Sequence, residues 1–261
     1  MTTPTPVRRS PVPVAFEPQG AVTRLGLIAL ATDLTLERNA VRLIPATSAA
    51  LHVTRVVFDN PTTPENLLSM GPRLTEAAAL ILPGMELAAI GYGCTAASVV
   101  IGSDAVRDAI QAARPGVPVA TPPDAALAAF AALGVRRIAL LTPYLPETTA
   151  PMVTFFAAQG LEVVSAHCLG IEDDRDMARV TSDVVRAAAE AADAPEAEAV
   201  FLSCTALPAL GLIEALEARL GKPVVSANQA LLWRLLHYAG MGPLPGAWGR
   251  LFDVAPPESP A

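Results

Sequence analysis

Lysine is almost missing: Lys222 is the only one in 261 residues. With a net charge of −7 and no run of basic residues, the chain lacks the positive surface that nucleic acid or a polybasic membrane contact requires. An anionic ligand must therefore be held locally. Lys222 also stands between Gly221 and Pro223, leading into a strand, a poor place for the Schiff-base lysine of a pyridoxal phosphate enzyme. The three histidines, His52, His167 and His237, are scattered, and neither H-x-x-x-H nor C-x-x-C occurs. No metal or other cofactor is expected. A G-x-S-x-G elbow is absent too. The chain is 52% apolar, yet no stretch of about 18 apolar residues runs free of Gly, Pro or charge. The Pro-rich, Arg-containing N-terminus lacks the apolar middle of a signal peptide. These features predict a soluble, cytoplasmic protein with no membrane partner; the high apolar content also hints at a homodimer. Three cysteines, an odd number without a secretory signal, make reduced thiols the expectation.

Short aliphatic runs alternate with Ala-rich helical patterns. Strands are predicted near 25–30, 51–57, 87–91, 117–120, 136–142, 161–166, 198–202 and 222–225, and helices at 103–113, 123–133, 148–159, 175–192, 209–219 and 227–239. Near-continuous apolar strands alternating with helices imply parallel sheets covered on both faces. An internal repeat of roughly 110 residues suits a duplicated α/β half. Arg24-Leu-Gly-Leu-Ile-Ala-Leu echoes Arg137-Ile-Ala-Leu-Leu-Thr-Pro, and the strand ending in Gly93-Cys94-Thr95-Ala96 echoes the one ending in Ser203-Cys204-Thr205-Ala206. The expected architecture is α/β with two pseudo-symmetric lobes, each a four-stranded parallel sheet flanked by helices. The first lobe takes residues 22–120 plus 226–250, with the last helix returning to pack on it, and the second takes 121–225. Pro-rich 1–21 and 251–261 are expected to be disordered tails.

Ligands bind at the carboxyl ends of parallel strands, so the repeat places Cys94 and Cys204 at two ligand-facing edges that a pseudo-twofold axis turns toward one cleft. Small residues after Cys94 leave the backbone N–H groups of the next turn open as an anion nest, which favours a thiolate. A free cysteine is by default a small core residue, and Cys168, without a repeat partner, keeps that reading. Matched thiols facing one cleft have another use: cofactor-free inversion of a carbon beside a carboxylate, or isomerisation of a double bond, needs groups on opposite faces of the substrate. Gly91-Tyr-Gly93-Cys-Thr-Ala96 also fits the dinucleotide motif G-x-G-x-x-A, but it lies mid-chain and no acidic residue ends the next strand.

The two Cys-Thr pairs, Gly26-Leu-Ile-Ala-Leu-Ala-Thr-Asp33-Leu-Thr-Leu-Glu37 and Leu141-Thr-Pro-Tyr144 resemble the aspartate/glutamate racemase superfamily. Within it the chain is most similar to the maleate cis-trans isomerase and arylmalonate decarboxylase branch, and especially to that branch's ectoine-utilisation proteins, over about residues 22–240. The resemblance implies an isomerase acting on a small carboxylate. Cys94 would add to or deprotonate the substrate and Cys204 would exchange a proton with it. Tyr144 would hydrogen-bond a substrate carboxylate, with Thr95, Ala96, Thr205 and Ala206 completing its cradle. Arylmalonate decarboxylases lack the first cysteine, which favours isomerisation or racemisation. Maleate isomerases carry asparagine where this chain has Asp33, and again near Asp173. A carboxylate there repels a second carboxylate and suits an ammonium or amide nitrogen, as in an ectoine-pathway compound. Asp33 equally fits a helix N-cap, and Asp173 and Asp174 fit the solvated start of a helix. Two other readings stay open: a lyase or ectoine-type ring hydrolase using the same pocket, and a non-catalytic metabolite-binding protein with inert thiols.

Overall fold

The eight apolar runs expected to be strands all form strands, and these fall into two sheets with the same internal order. The computed structural model describes residues 5–18, 20–242, 244 and 248–256. The first half runs β1 (Thr23–Leu30), α1 (Leu36–Leu43), β2 (Ala49–Val56), α2 (Pro64–Leu68), α3 (Leu74–Ala79), β3 (Ala89–Tyr92), α4 (Thr95–Ile101), α5 (Ser103–Ala113), β4 (Val119–Ala120) and α6 (Pro122–Ala132). The second runs β5 (Arg137–Thr142), α7 (Pro146–Ala158), β6 (Glu162–Cys168), α8 (Asp174–Met177), α9 (Ser182–Ala192), β7 (Ala199–Leu202), α10 (Ile213–Leu220), β8 (Val224–Ser226) and α11 (Ala227–Tyr238). The sheets are β2-β1-β3-β4 and β6-β5-β7-β8, and every pairing is parallel. β3 and β7 are buried along their whole length, as strands sandwiched between helix layers must be.

Each half lends its last helix to the other. α11 lies over β3 of the first sheet, so closely that a Cβ on Gly91 would sit 2.8 Å from a Leu235 methyl. Reciprocally, Phe130 of α6 sets its ring edge-on to Phe201 of β7, with centroids 5.7 Å apart. The two exchanged helices also pack on each other. Gly91 is thus used for close packing rather than for approach to a phosphate.

Several elements differ from the sequence expectation. The helix predicted at 175–192 is two, α8 and α9, because Thr181 caps α9 by accepting from Val184 N–H. The helix at 209–219 begins as a single 3-10 turn over Leu210–Leu212. The C-terminal tail expected over 251–261 is ordered at its start. Arg250–Asp253 form a 3-10 turn with Leu251 and Phe252 buried, and Trp233 donates to the Val254 carbonyl at 2.9 Å. Two large apolar side chains next to an open face of α11 are reason enough for that docking. Of the expected N-terminal tail, residues 5–18 carry no helix or strand and are exposed; residues 1–4, 19 and 257–261 lie outside the described residues. Among the described residues no helix is long and apolar enough to cross a membrane.

Candidate active site

Cys94 stands two residues beyond the end of β3 and Cys204 two beyond the end of β7, so matched strands deliver both thiols to one seam between the lobes. The two are held alike. The Cys94 sulfur accepts from the backbone N–H groups of Ala96 and Ala97, two and three residues on. The Cys204 sulfur accepts from those of Ala206, at 3.3 Å, and Leu207, again two and three residues on. The nest predicted for a substrate anion is therefore filled by the thiols themselves. Thr205 ties the halves together, its hydroxyl donating to the Gly93 carbonyl at 2.9 Å while its own carbonyl accepts from Asn228 Nδ2. Gly93 has no room for a side chain, since a Cβ would meet Leu36 Cδ2 at 2.3 Å.

The symmetry is broken at the backbone. Cys94 has extended φ −144° and caps α4, whereas Cys204 has φ +130°. That conformation is strained for any side chain and costs on the order of 1–3 kcal/mol. After it Pro208 removes a backbone donor, and a loop stands where the first half has α4.

Two more groups reach the thiols. Tyr144, 2% exposed in the Pro143–Pro146 loop, brings its hydroxyl within hydrogen-bonding reach of the Cys204 sulfur. Asp174, 7% exposed at the start of α8, is close enough for its charge to act on Cys94, Cys204 and Tyr144 together. Thr32 on the opposite lobe donates its hydroxyl to Asp174 Oδ2 at 2.6 Å, and Asp174 N–H donates to Asn60 Oδ1 at 3.2 Å. Among the described residues, three of the seven buried polar atoms without a protein partner belong to the neighbours of the thiols and of Thr205: Thr95 Oγ1, Ser203 Oγ and Asn228 Oδ1. Unpaired buried hydroxyls and amides are rare, and at a cleft they are what a polar ligand would satisfy.

Burial dominates the electrostatics. It pushes the Cys204 thiol up to about 12 and the Cys94 thiol higher, and the Asp174 charge adds to both effects. The backbone N–H groups oppose this, but burial works in the direction of the protonated thiol, against the thiolate expected from the sequence. Burial also holds the Tyr144 hydroxyl protonated and raises the Asp174 carboxyl, with Asp33 and Asp173 adding like-charge repulsion to the latter.

The structure brings Cys94, Cys204, Tyr144, Thr95, Ala96, Thr205 and Ala206 together at this seam. Asp33 is different: its Oδ1 accepts from Thr35 and Leu36 N–H and its Oδ2 from Glu37 N–H, so both oxygens cap α1. The carboxylate in the site is Asp174, which the sequence left inside a charge run. Cys168, half-buried at the end of β6, has no counterpart of the thiol nest. Among the described residues no three His, Cys, Asp or Glu side chains come together as metal ligands would.

Comparison with known proteins agrees with this arrangement. The arylmalonate decarboxylase family profile matches residues 75–252. The chain is 39% identical over 142 residues to an arylmalonate decarboxylase of Bordetella bronchiseptica, a match covering 53% of this chain and 59% of that one. It is 27% identical over 242 residues to a maleate isomerase of Nocardia farcinica, covering 88% and 95%. Among solved structures, a Nocardia farcinica maleate cis-trans isomerase variant with a covalently bound succinylcysteine intermediate superimposes with a TM-score of 0.79 at 26% identity, covering 88% of this chain and 98% of that one. A liganded arylmalonate decarboxylase variant gives 0.76 at 28% identity, covering 89% and 99%. The duplicated sheets and these matches together place the chain in the arylmalonate decarboxylase family, in the branch of the Asp/Glu racemase-like superfamily that also holds the maleate isomerases.

Proposed function

We propose that this protein is a cofactor-independent racemase or cis-trans isomerase of a small carboxylate, with Cys94 and Cys204 working from opposite faces of the substrate. The observation that carries the reading is the matched seating of the two thiols, each on the N–H groups two and three residues ahead, at the ends of corresponding strands. In racemisation one cysteine, as thiolate, takes the proton from the carbon beside the carboxylate, and the other, as thiol, gives its proton to the opposite face. The protonation states of the pair are then exchanged. In isomerisation one thiolate adds to a double-bond carbon, rotation follows about the resulting single bond, and elimination returns the thiolate. The bound succinylcysteine of the Nocardia farcinica relative supports a nucleophilic cysteine. Tyr144 and the unpartnered Thr95 hydroxyl would donate to the substrate carboxylate, along with N–H groups around Thr95 and Thr205. The resemblance to ectoine-utilisation proteins points to an intermediate of ectoine breakdown.

A second reading, decarboxylation of a malonate-type acid, is favoured by the 39% identity to the Bordetella bronchiseptica decarboxylase. Product analysis separates the two. Incubation in D2O with amino acids, maleate and an arylmalonate, followed by proton NMR, is expected to yield isomerised or α-deuterated product with no loss of carbon. Release of CO2 would establish the decarboxylase, and no turnover with inert thiols would leave a binding protein.

A further inference from the structure

Asp174 is the one ionisable group of the site that the two-thiol chemistry leaves without a task. Its Oδ2 accepts the Thr32 hydroxyl, its backbone N–H is taken by Asn60, and among the described residues nothing donates to its Oδ1. The charged groups around it are Asp33, whose oxygens cap α1, and Asp173, which is chelated by the Arg175 guanidinium. Arg175 is exposed and committed to Asp173. A carboxylate this deeply buried, with one donor on Oδ2, two acidic neighbours and two thiols beside it, has an oxygen left for a further donor.

We propose that Asp174 is the specificity-determining residue of this site: its free Oδ1 receives an N–H group of the substrate, so the site takes a nitrogen-bearing monocarboxylate and rejects a dicarboxylate. This rests on the two-thiol reading and deepens it by assigning the second end of the substrate. Asn60 holds the Asp174 backbone N–H and the Thr32 hydroxyl, from the same lobe, holds Oδ2, leaving Oδ1 as the contact. A second carboxylate brought to that oxygen would meet like charge from Asp174 and its acidic neighbours. An ammonium would instead neutralise the charge that helps keep both thiols protonated. Substrate recognition and thiol activation are then one event: the correct ligand eases formation of the thiolate that acts on it.

The test compares the wild type with Asp174→Asn, which is isosteric and keeps the Thr32 and Asn60 bonds, using probes of similar size: 2-aminobutyrate, N-acetyl-2-aminobutyrate, butyrate, succinate and maleate. Calorimetry reads binding, and iodoacetamide alkylation across pH 6 to 10, resolved by peptide mass spectrometry, reads Cys94 and Cys204. The wild type is expected to bind a nitrogen-bearing probe about tenfold or more tighter than succinate or butyrate. In Asp174→Asn that preference is lost or inverted toward the dicarboxylates, and both thiols alkylate at lower pH without ligand. Preference of the wild type for succinate or maleate, with affinity falling as Asp174 ionises, would mean a protonated Asp174 donating to a second carboxylate, and would overturn the proposal. An unchanged preference in the variant would overturn it as well. If both thiols stay inert in both proteins while the preferences behave as stated, the catalytic reading fails and the assignment of Asp174 stands.

Discussion

Cys204 and Cys94 carry the same side chain in the same nest, but only Cys204 is held at positive φ, +130° against −144°. Glycine adopts such a backbone without penalty and alanine does not. Cys204→Gly is therefore expected to be more stable than Cys204→Ala by about 1 kcal/mol. Urea denaturation of the two variants checks this, and an alanine variant as stable as the glycine variant would contradict the strain. Asp174 gives a pH-dependent counterpart. Its folded pKa is raised above the unfolded 3.8, chiefly by burial. The native state thus binds the proton more tightly, and stability declines as pH rises through this interval, reaching a constant deficit above the folded value. Asp174→Asn removes the deficit. Its Tm is expected to exceed that of the wild type at pH 7, with the difference vanishing near pH 3.5; a variant less stable at pH 7 would contradict a strained, donor-poor carboxylate. The sequence pointed to both cysteines because repeat and strand end coincide there. It left Asp174 hidden because burial within Glu172-Asp-Asp-Arg-Asp176 depends on Thr32 and Asn60, more than a hundred residues away.

At the level of elements, the strands were legible because their apolar runs are unbroken and β-branched or aliphatic, and the long helices because their lengths exceed three turns. α1, α2, α3 and α4 were not, being only five to eight residues long, little more than two turns at most. Asp33 did advertise the start of α1, and its cap geometry is what the structure carries. The β3–α4 connection, which seats Cys94, depends on Gly93. Its N–H donates to Ile28 O at 2.8 Å, its carbonyl accepts from Thr205, and its missing Cβ admits Leu36. Gly93→Ala is expected to destabilise the protein by about 1–3 kcal/mol through overpacking. Because Leu36 is the side chain in the way, a companion Leu36→Ala change should cost less in the Gly93→Ala background than in the wild type. Additive effects in a double-mutant cycle would show that the crowding is relieved elsewhere.

On the scale of the whole molecule, the exchange of α6 and α11 between the halves explains why a duplicated chain forms one site rather than two. Each lobe's sheet is covered by a helix from the other's half, so Cys94 and Cys204 meet across a fixed seam. The docked segment 250–254 adds to that closure through Glu217, which accepts from Val224 and Arg250 N–H, and through Trp233. The repeat made two sheets legible from sequence, but the burial that the exchange imposes on the thiols was not. It works against the expected acidity, so both thiols should resist alkylation near neutral pH. The most direct test of the central claim is turnover in D2O by Cys94→Ser and Cys204→Ser, each compared with the wild type on the substrate that the product screen identifies. Both variants are expected to lose activity by about a hundredfold to ten-thousandfold while keeping the wild-type fold by circular dichroism. Full activity in either variant would mean that one thiol suffices, contradicting a mechanism that works from two faces.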